Sequence, residues 1–296
     1  MADQFRWDGT PLSLALLDAV ANDLKAKATL PGTSRFHFTI HAVIIRYFLG
    51  DDWFRNHLLP DAHPNSFLRP DFSTADVDPN YSARTLELAE MLLNLQHVRG
   101  FRRCLEHLAL KQVQSGLAEL QIGQVLQTRG VPFRYVEDGE ATTVDIVFEL
   151  PTRTEAFAEI KCKEEETPYS DATLRRALAK ARQQIGKDNA GVVFVKVPTA
   201  WVEISQSHAS ERADIRLPAP IVAAAKSTMR ESSRIKKIIF YVVHYAYDPA
   251  WGLGATHVTM EMSNLSNTAP WTDDPLGAYE PGPWVRMPEL HNRWAE

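Results

Sequence analysis

Thr142-Thr143-Val144-Asp145-Ile146-Val147-Phe148-Glu149-Leu150, and after a Pro151-Thr152 break Ala156-Phe157-Ala158-Glu159-Ile160-Lys161-Cys162, decide how this chain is read. Val144, Ile146, Phe148 and Leu150 recur with period two, which predicts a strand with one buried face. Ala156 to Cys162 is a second candidate strand, and Phe133 to Glu137 a third that precedes both. Asp138-Gly139 and Pro151-Thr152 between them suit antiparallel turns. Upstream, Phe101 to Arg129 is helix-rich and stops at Gly130, with Pro132 just beyond. Downstream, a helix is expected from about Ser170 to Lys187, with Leu174, Ala177, Leu178, Ala181 and Ile185 as its apolar stripe. Gly191 to Val197 is almost continuously apolar, as in a strand buried on both faces. The order helix, strand, strand, strand, helix, strand predicts an α/β fold, a mixed sheet flanked by helices.

The flanks extend this plan. Residues 1–98 read as a mainly helical N-terminal region, with apolar helix candidates at Leu12 to Val20, Thr39 to Leu49 and from Ser82 onward. Pro60, Pro64, Pro70 and Pro79 mark a long irregular connection. Residues 99–296 form the second region. There, Trp201 to Ser205, Ile238 to Tyr245 and Thr256 to Met262 are expected to extend the sheet, with a helix between about Pro220 and Glu231. Gly252-Leu253-Gly254 reads as a turn, and the tail from Pro270 as a segment lying across a surface.

Composition narrows the function classes. The 296 residues are 45% hydrophobic and 23% charged, an ordinary globular balance. A net charge of −5 excludes a generally basic nucleic-acid coat, though not a local basic groove. Two cysteines, Cys104 and Cys162, are too few for a disulfide framework or a cysteine-based zinc module. Without an apolar run of membrane-spanning length or a basic, apolar leader, the expected setting is cytoplasmic, with no membrane partner.

Chemistry gathers in the opening stretch. Period-two geometry puts Glu159 and Lys161 on one face of their strand, with Ile160 on the other. If the two strands pair, Asp145 converges with them. Two carboxylates offer hard oxygen ligands to Mg²⁺, or to Mn²⁺ in its place. A neighbouring ammonium can orient a water or stabilise charge on a phosphate. That equipment suits metal-assisted phosphodiester hydrolysis.

Asp145, thirteen intervening residues and Glu159-x-Lys161 resemble the PD-(D/E)xK signature of the restriction-endonuclease-like nucleases. The resemblance covers roughly residues 115 to 198 and includes the element order. Val144 stands where the signature has Pro. The resemblance implies a restriction-endonuclease-like core, a metal held by Asp145 and Glu159, and Lys161 serving the attacking water. It also implies a carboxylate on the preceding helix, which points to Glu119 beside Ala118, Ile122, Val125 and Leu126 as a further catalytic residue and ligand. Gln183 or Gln184 occupies the place where relatives carry a Gln or Lys near the site, and the sequence does not choose between them. DNA is the expected substrate ahead of RNA, and double-strand cutting would favour a homodimer.

Arg175, Arg176, Lys180, Arg182, Gln183 and Lys187 form a basic helix face suited to phosphates, as do Lys226, Arg230, Arg234, Lys236 and Lys237 further on. Solvated helix faces look the same. Glu164, Glu165 and Glu166 oppose a polyanion unless they turn outward. Cys162 points with Ile160 and is expected to be buried and inert. His37 and His41 share a helix face but lack further zinc ligands at a recognisable spacing. The alternative to an enzyme is a non-catalytic nucleic-acid-binding or protein-interaction module on the same fold.

Overall fold

Six segments hydrogen-bond into one mixed sheet. The computed structural model describes residues 7–27, 34–59, 67–68, 79–110, 112–137, 139, 144–186, 189–206, 213–248, 252–264 and 279–295. Much of the expected 60–80 connection, Asp138, Thr142, Thr143, Lys187 and Pro270 lie outside these residues. The strands are β1 (Phe133–Tyr135), β2 (Ile146–Glu149), β3 (Glu155–Cys162), β4 (Gly191–Lys196), β5 (Glu203–Gln206), β6 (Ala213–Arg216), β7 (Ile235–Asp248) and β8 (Gly252–Ser263). The sheet order is β1-β2-β3-β4-β7-β8. β3, β4 and β7 run parallel, and the remaining neighbours pair antiparallel.

Helices cover both faces. One face carries α1 (Leu14–Ala26), α2 (Ser34–Leu49), α3 (Asp51–Leu58), α4 (Pro79–Leu95), α5 (Phe101–Leu110), α6 (Val113–Thr128) and α9 (Met287–Ala295), packed on Ala158, Ile160, Phe194 and Tyr241. The other carries α7 (Asp171–Gln184) and α8 (Ala219–Arg230), packed on Val193, Val195, Ile238 and Phe240. All six residues of β4 are buried, which explains its unbroken apolar run. Both crossover helices lie on the same face, as one handedness requires when parallel strands are added in one direction.

Local chemistry sets the element ends. Ser170 caps α7 by accepting a hydrogen bond from the Thr173 amide at 3.3 Å, and Asp171 follows in the first turn. Leu174, Leu178 and Ala181 bury its inner face. α6 is sandwiched between the other helices and the sheet, so residues Gly116 to Gly123 are buried on every side. Gly116 is where α5 touches it: a Cβ there would lie 2.7 Å from the Leu108 Cα, so only glycine permits this approach.

The C-terminal part differs from expectation in detail. β5 does not join the main sheet; it pairs with β6 in a separate two-stranded sheet. Gly252-Leu253-Gly254 is no turn but the start of β8, because β7 and β8 pair over a longer stretch than their apolar cores indicate. The tail runs across α4 before forming α9: Asn94 accepts from the Val285 amide and donates to the Val285 carbonyl, at 2.7 and 2.9 Å. None of the described helices is long and apolar enough to cross a membrane.

Candidate active site at the β2–β3 edge

β3 runs on past the first residue of β2. Ile146 opposite Ala158 is the last pair of their ladder, which leaves the Ile160 amide facing an open edge. Asp145 sits at a bend just before β2 and fills that gap: its Oδ2 accepts the Ile160 N–H at 2.8 Å. Glu159 and Lys161 project from the same face of β3, and Lys161 Nζ donates to Glu159 Oε1. Lys161 Nζ also donates to Gln184 Oε1, at 2.7 Å, across from the end of α7.

The other side of the cluster comes from α5 and α6. Arg103 places one guanidinium nitrogen 3.4 Å from Glu119 Oε2 and the other 3.6 Å from Asp145 Oδ1. His107 Nδ1 lies 3.0 Å from Glu119 Oε1. The seven residues thus belong to α5, α6, the bend before β2, β3 and α7. The site is narrow, since the side chains of Arg103, His107 and Lys161 are 14–15% exposed and that of Glu159 only 1%.

Electrostatics follow from crowding acids in a poorly solvated corner. Burial pushes the Asp145 carboxyl up, the Glu119 charge adds to this, and the Ile160 amide, Lys161 and Arg103 oppose it. Burial also pushes up the Glu159 carboxyl, with the Asp145 charge adding to it and Lys161 pulling the other way. Among the described residues, Glu159 Oε2 is buried without a hydrogen-bond partner, an orphaned carboxyl oxygen. Such an atom is suited to a cation. Even so, among the described residues no group of three or more His, Cys, Asp and Glu side chains is arranged as a ready ligand set. Glu119 is engaged by Arg103 and His107 instead.

Asp145, Glu159, Lys161 and Glu119 are therefore neighbours. Of the two glutamines, Gln184 reaches the site and Gln183 points to solvent. Arg175, Arg176 and Lys180 are exposed on α7, with Arg175 paired to Asp171 at 2.7 Å. Arg182 pairs with Glu231 at 3.0 Å. In the later basic stretch, Arg234 caps the end of α7 through the Arg182 and Ile185 carbonyls, and Lys237 pairs with Glu261. Glu165 turns away to accept the Thr199 amide and hydroxyl, so it does not face the site. Burial pushes the Cys162 thiol up to about 11, as suits an inert cysteine.

Arg103 and His107 carry no signal in the sequence beyond an i, i+4 spacing beside the buried Cys104 and Leu108. A second buried polar cluster also went unsignalled. Glu87 accepts from Gln121 and Tyr245, with His257 at 3.3 Å. Burial would raise the Glu87 carboxyl, but His257, Lys196 and Tyr245 outweigh it and the net shift is downward. His37 and His41 do gain a third histidine, His291 of α9, whose ring stacks on His37 with centroids 3.7 Å apart. Parallel rings aim their lone pairs side by side and not at a common ion. Comparison with protein-family models, with curated proteins and with solved structures gives no match.

Proposed function

We propose that this chain is a metal-dependent nuclease that hydrolyses phosphodiester bonds of DNA, on a restriction-endonuclease-like core. The observation that carries the reading is the convergence of Asp145, Glu159, Lys161 and Gln184 where β3 outlasts β2. The succession α6, β1, β2, β3, α7, β4 supports it as well.

The donor set fits Mg²⁺, with Mn²⁺ as the alternative. The orphaned Glu159 Oε2 and the Asp145 carboxylate are hard oxygen donors, and Mg²⁺ needs few of these because it keeps several waters. Glu119 is the auxiliary carboxylate. When bound, the ion supplies positive charge to phosphate oxygens and acidifies water. The chain's own residues do the rest. Asp145 is anchored through Oδ2 by a backbone amide, which fixes where its Oδ1 lies. Lys161 is held between Glu159 and Gln184 and presents its ammonium to the attacking water. The surrounding apolar strands keep bulk water from screening these charges.

The test is incubation of the purified protein with supercoiled plasmid, linear duplex DNA and RNA, in Mg²⁺, Mn²⁺ or EDTA. Cleavage of DNA is expected with either ion and none with EDTA. Lys161→Ala should lower the rate by about 10²-fold or more while the circular dichroism stays unchanged. If the wild-type protein cuts no nucleic acid in either ion, the reading fails. If Lys161→Ala cuts as fast as wild type, the lysine has no such role.

A further inference from the structure

We infer that Lys163, with Arg176 and Lys180 of α7, is the track that holds the DNA backbone beside this site, an inference that rests on the nuclease reading above. The Lys163 amide donates to the Lys196 carbonyl at 3.0 Å, which carries the β3–β4 ladder one step beyond Cys162. Its side chain therefore leaves the face that carries Glu159 and Lys161, roughly 6.6 Å further along the strand than Lys161. α7 joins β3 to the parallel β4 and returns against their direction, so its earlier turns lie toward the end of β3 where Lys163 stands. Arg176, Lys180 and Gln184 follow one another at four-residue spacing and share one flank of that helix. From this flank Gln184 reaches Lys161. Lys163 is half-buried, and Arg176 and Lys180 are exposed, so the row opens to solvent. Among the described residues, none of these three side chains has a hydrogen-bond or ion-pair partner, unlike Lys161, Arg175 and Arg182. Burial lowers the Lys163 amine from its usual range, and the Lys161 and Arg176 charges add to this. The charges of Glu164 and Glu165 bear instead on Cys162, on the opposite face. Like charges gathered without a counter-ion are costly in the free protein, and a phosphodiester backbone relieves them. A solvated helix face alone would not recruit a half-buried lysine from the neighbouring strand.

The test is binding of a fluorescent duplex oligonucleotide in Ca²⁺, followed by anisotropy over a range of salt, beside Mg²⁺-dependent cleavage of the same duplex. Lys163→Gln should weaken binding and lower the slope of log K against log salt by about 1, and the double variant Arg176→Gln/Lys180→Gln by about 2. In cleavage, KM should rise while kcat is kept, because the lost contact serves ground and transition states alike. Arg55→Gln, which removes an exposed cation of α3, should leave slope and KM unchanged. The Lys163→Gln Tm should not fall, since the amine has no partner to lose, and this separates a docking role from a structural one. A wild-type slope and KM in both row variants overturns the inference and leaves the nuclease reading intact. A fall in kcat at unchanged KM overturns it as well and moves Lys163 into the reaction itself. An equal loss of slope in Arg55→Gln overturns it in favour of a general charge effect. A wild-type protein that binds the duplex through these residues but cuts nothing in Mg²⁺ or Mn²⁺ overturns the nuclease reading and leaves the track standing. One that neither binds nor cuts overturns both.

Discussion

Gln184 shows how much one residue's direction decides. It is the last residue of α7, and its carbonyl oxygen accepts from Lys161. Gln183, one position earlier, is rotated about 100° away and faces solvent. Gln184→Ala should therefore lower cleavage about tenfold or more by loosening the Lys161 ammonium, while Gln183→Ala should leave it unchanged. Equal effects of the two in a steady-state assay would mean that the glutamine does not position the lysine. Asp145, Glu159 and Lys161 were legible beforehand because strand periodicity and a short connecting turn fix their relative placement. Arg103 and His107 were not, because α5 reaches Glu119 through helix–helix packing that no local pattern encodes. The choice between the glutamines needed the crossing of α7 over the sheet, a tertiary quantity.

Among the elements, α5 brings Arg103 and His107 onto Glu119 of α6. Their contact at Gly116 is so close that any Cβ meets backbone of Leu108, which cannot swing aside. Gly116→Ala should cost about 1–3 kcal/mol in a denaturant titration and should separate Arg103 and His107 from Glu119. A variant with wild-type stability would show that α5 can back away freely. The central strands and α7 were readable, since continuous or alternating apolar runs survive in any context. The β5–β6 sheet and the full reach of β7 and β8 were not, as their outer residues pair through backbone hydrogen bonds that side-chain patterns do not report. The Glu87 cluster escaped for a similar reason: its members come from α4, α6, β7 and β8, far apart in the chain.

In the whole molecule, two apolar layers sandwich the sheet, and α9 closes the one that reaches from Trp7 to Trp294. Three imidazoles lie at that closure. Burial holds His41 down at about 3 and His291 at about 2, and lowers His37, so all are neutral at pH 7. The unfolded chain takes up these protons near pH 6.5 and the native one resists them. Their contribution is thus fully present above pH 6.5 and is lost as the pH falls from there toward 3. Glu90, which caps α9 through the Met287 amide, works in the opposite sense. Burial raises its carboxyl to about 7, so its protonation favours the native state between about 7 and 4.5. Asp18 is bound to Arg293 and Trp294 at this contact, and Arg286 lies near Glu90. His291→Gln removes one imidazole and leaves both acids. Its unfolding free energy should fall less than that of the wild type between pH 6.5 and 4.5, by up to about 1.4 kcal/mol per pH unit in denaturant titrations. Parallel curves would mean that the stack does not titrate with unfolding.

The same closure has a consequence for biosynthesis. Leu17, Phe36 and Ile40 are translated more than two hundred residues before Met287, Leu290 and Trp294, which complete their apolar layer. Until α9 is made, the early helices keep part of their apolar face uncovered, the condition under which a nascent chain is prone to misassociate.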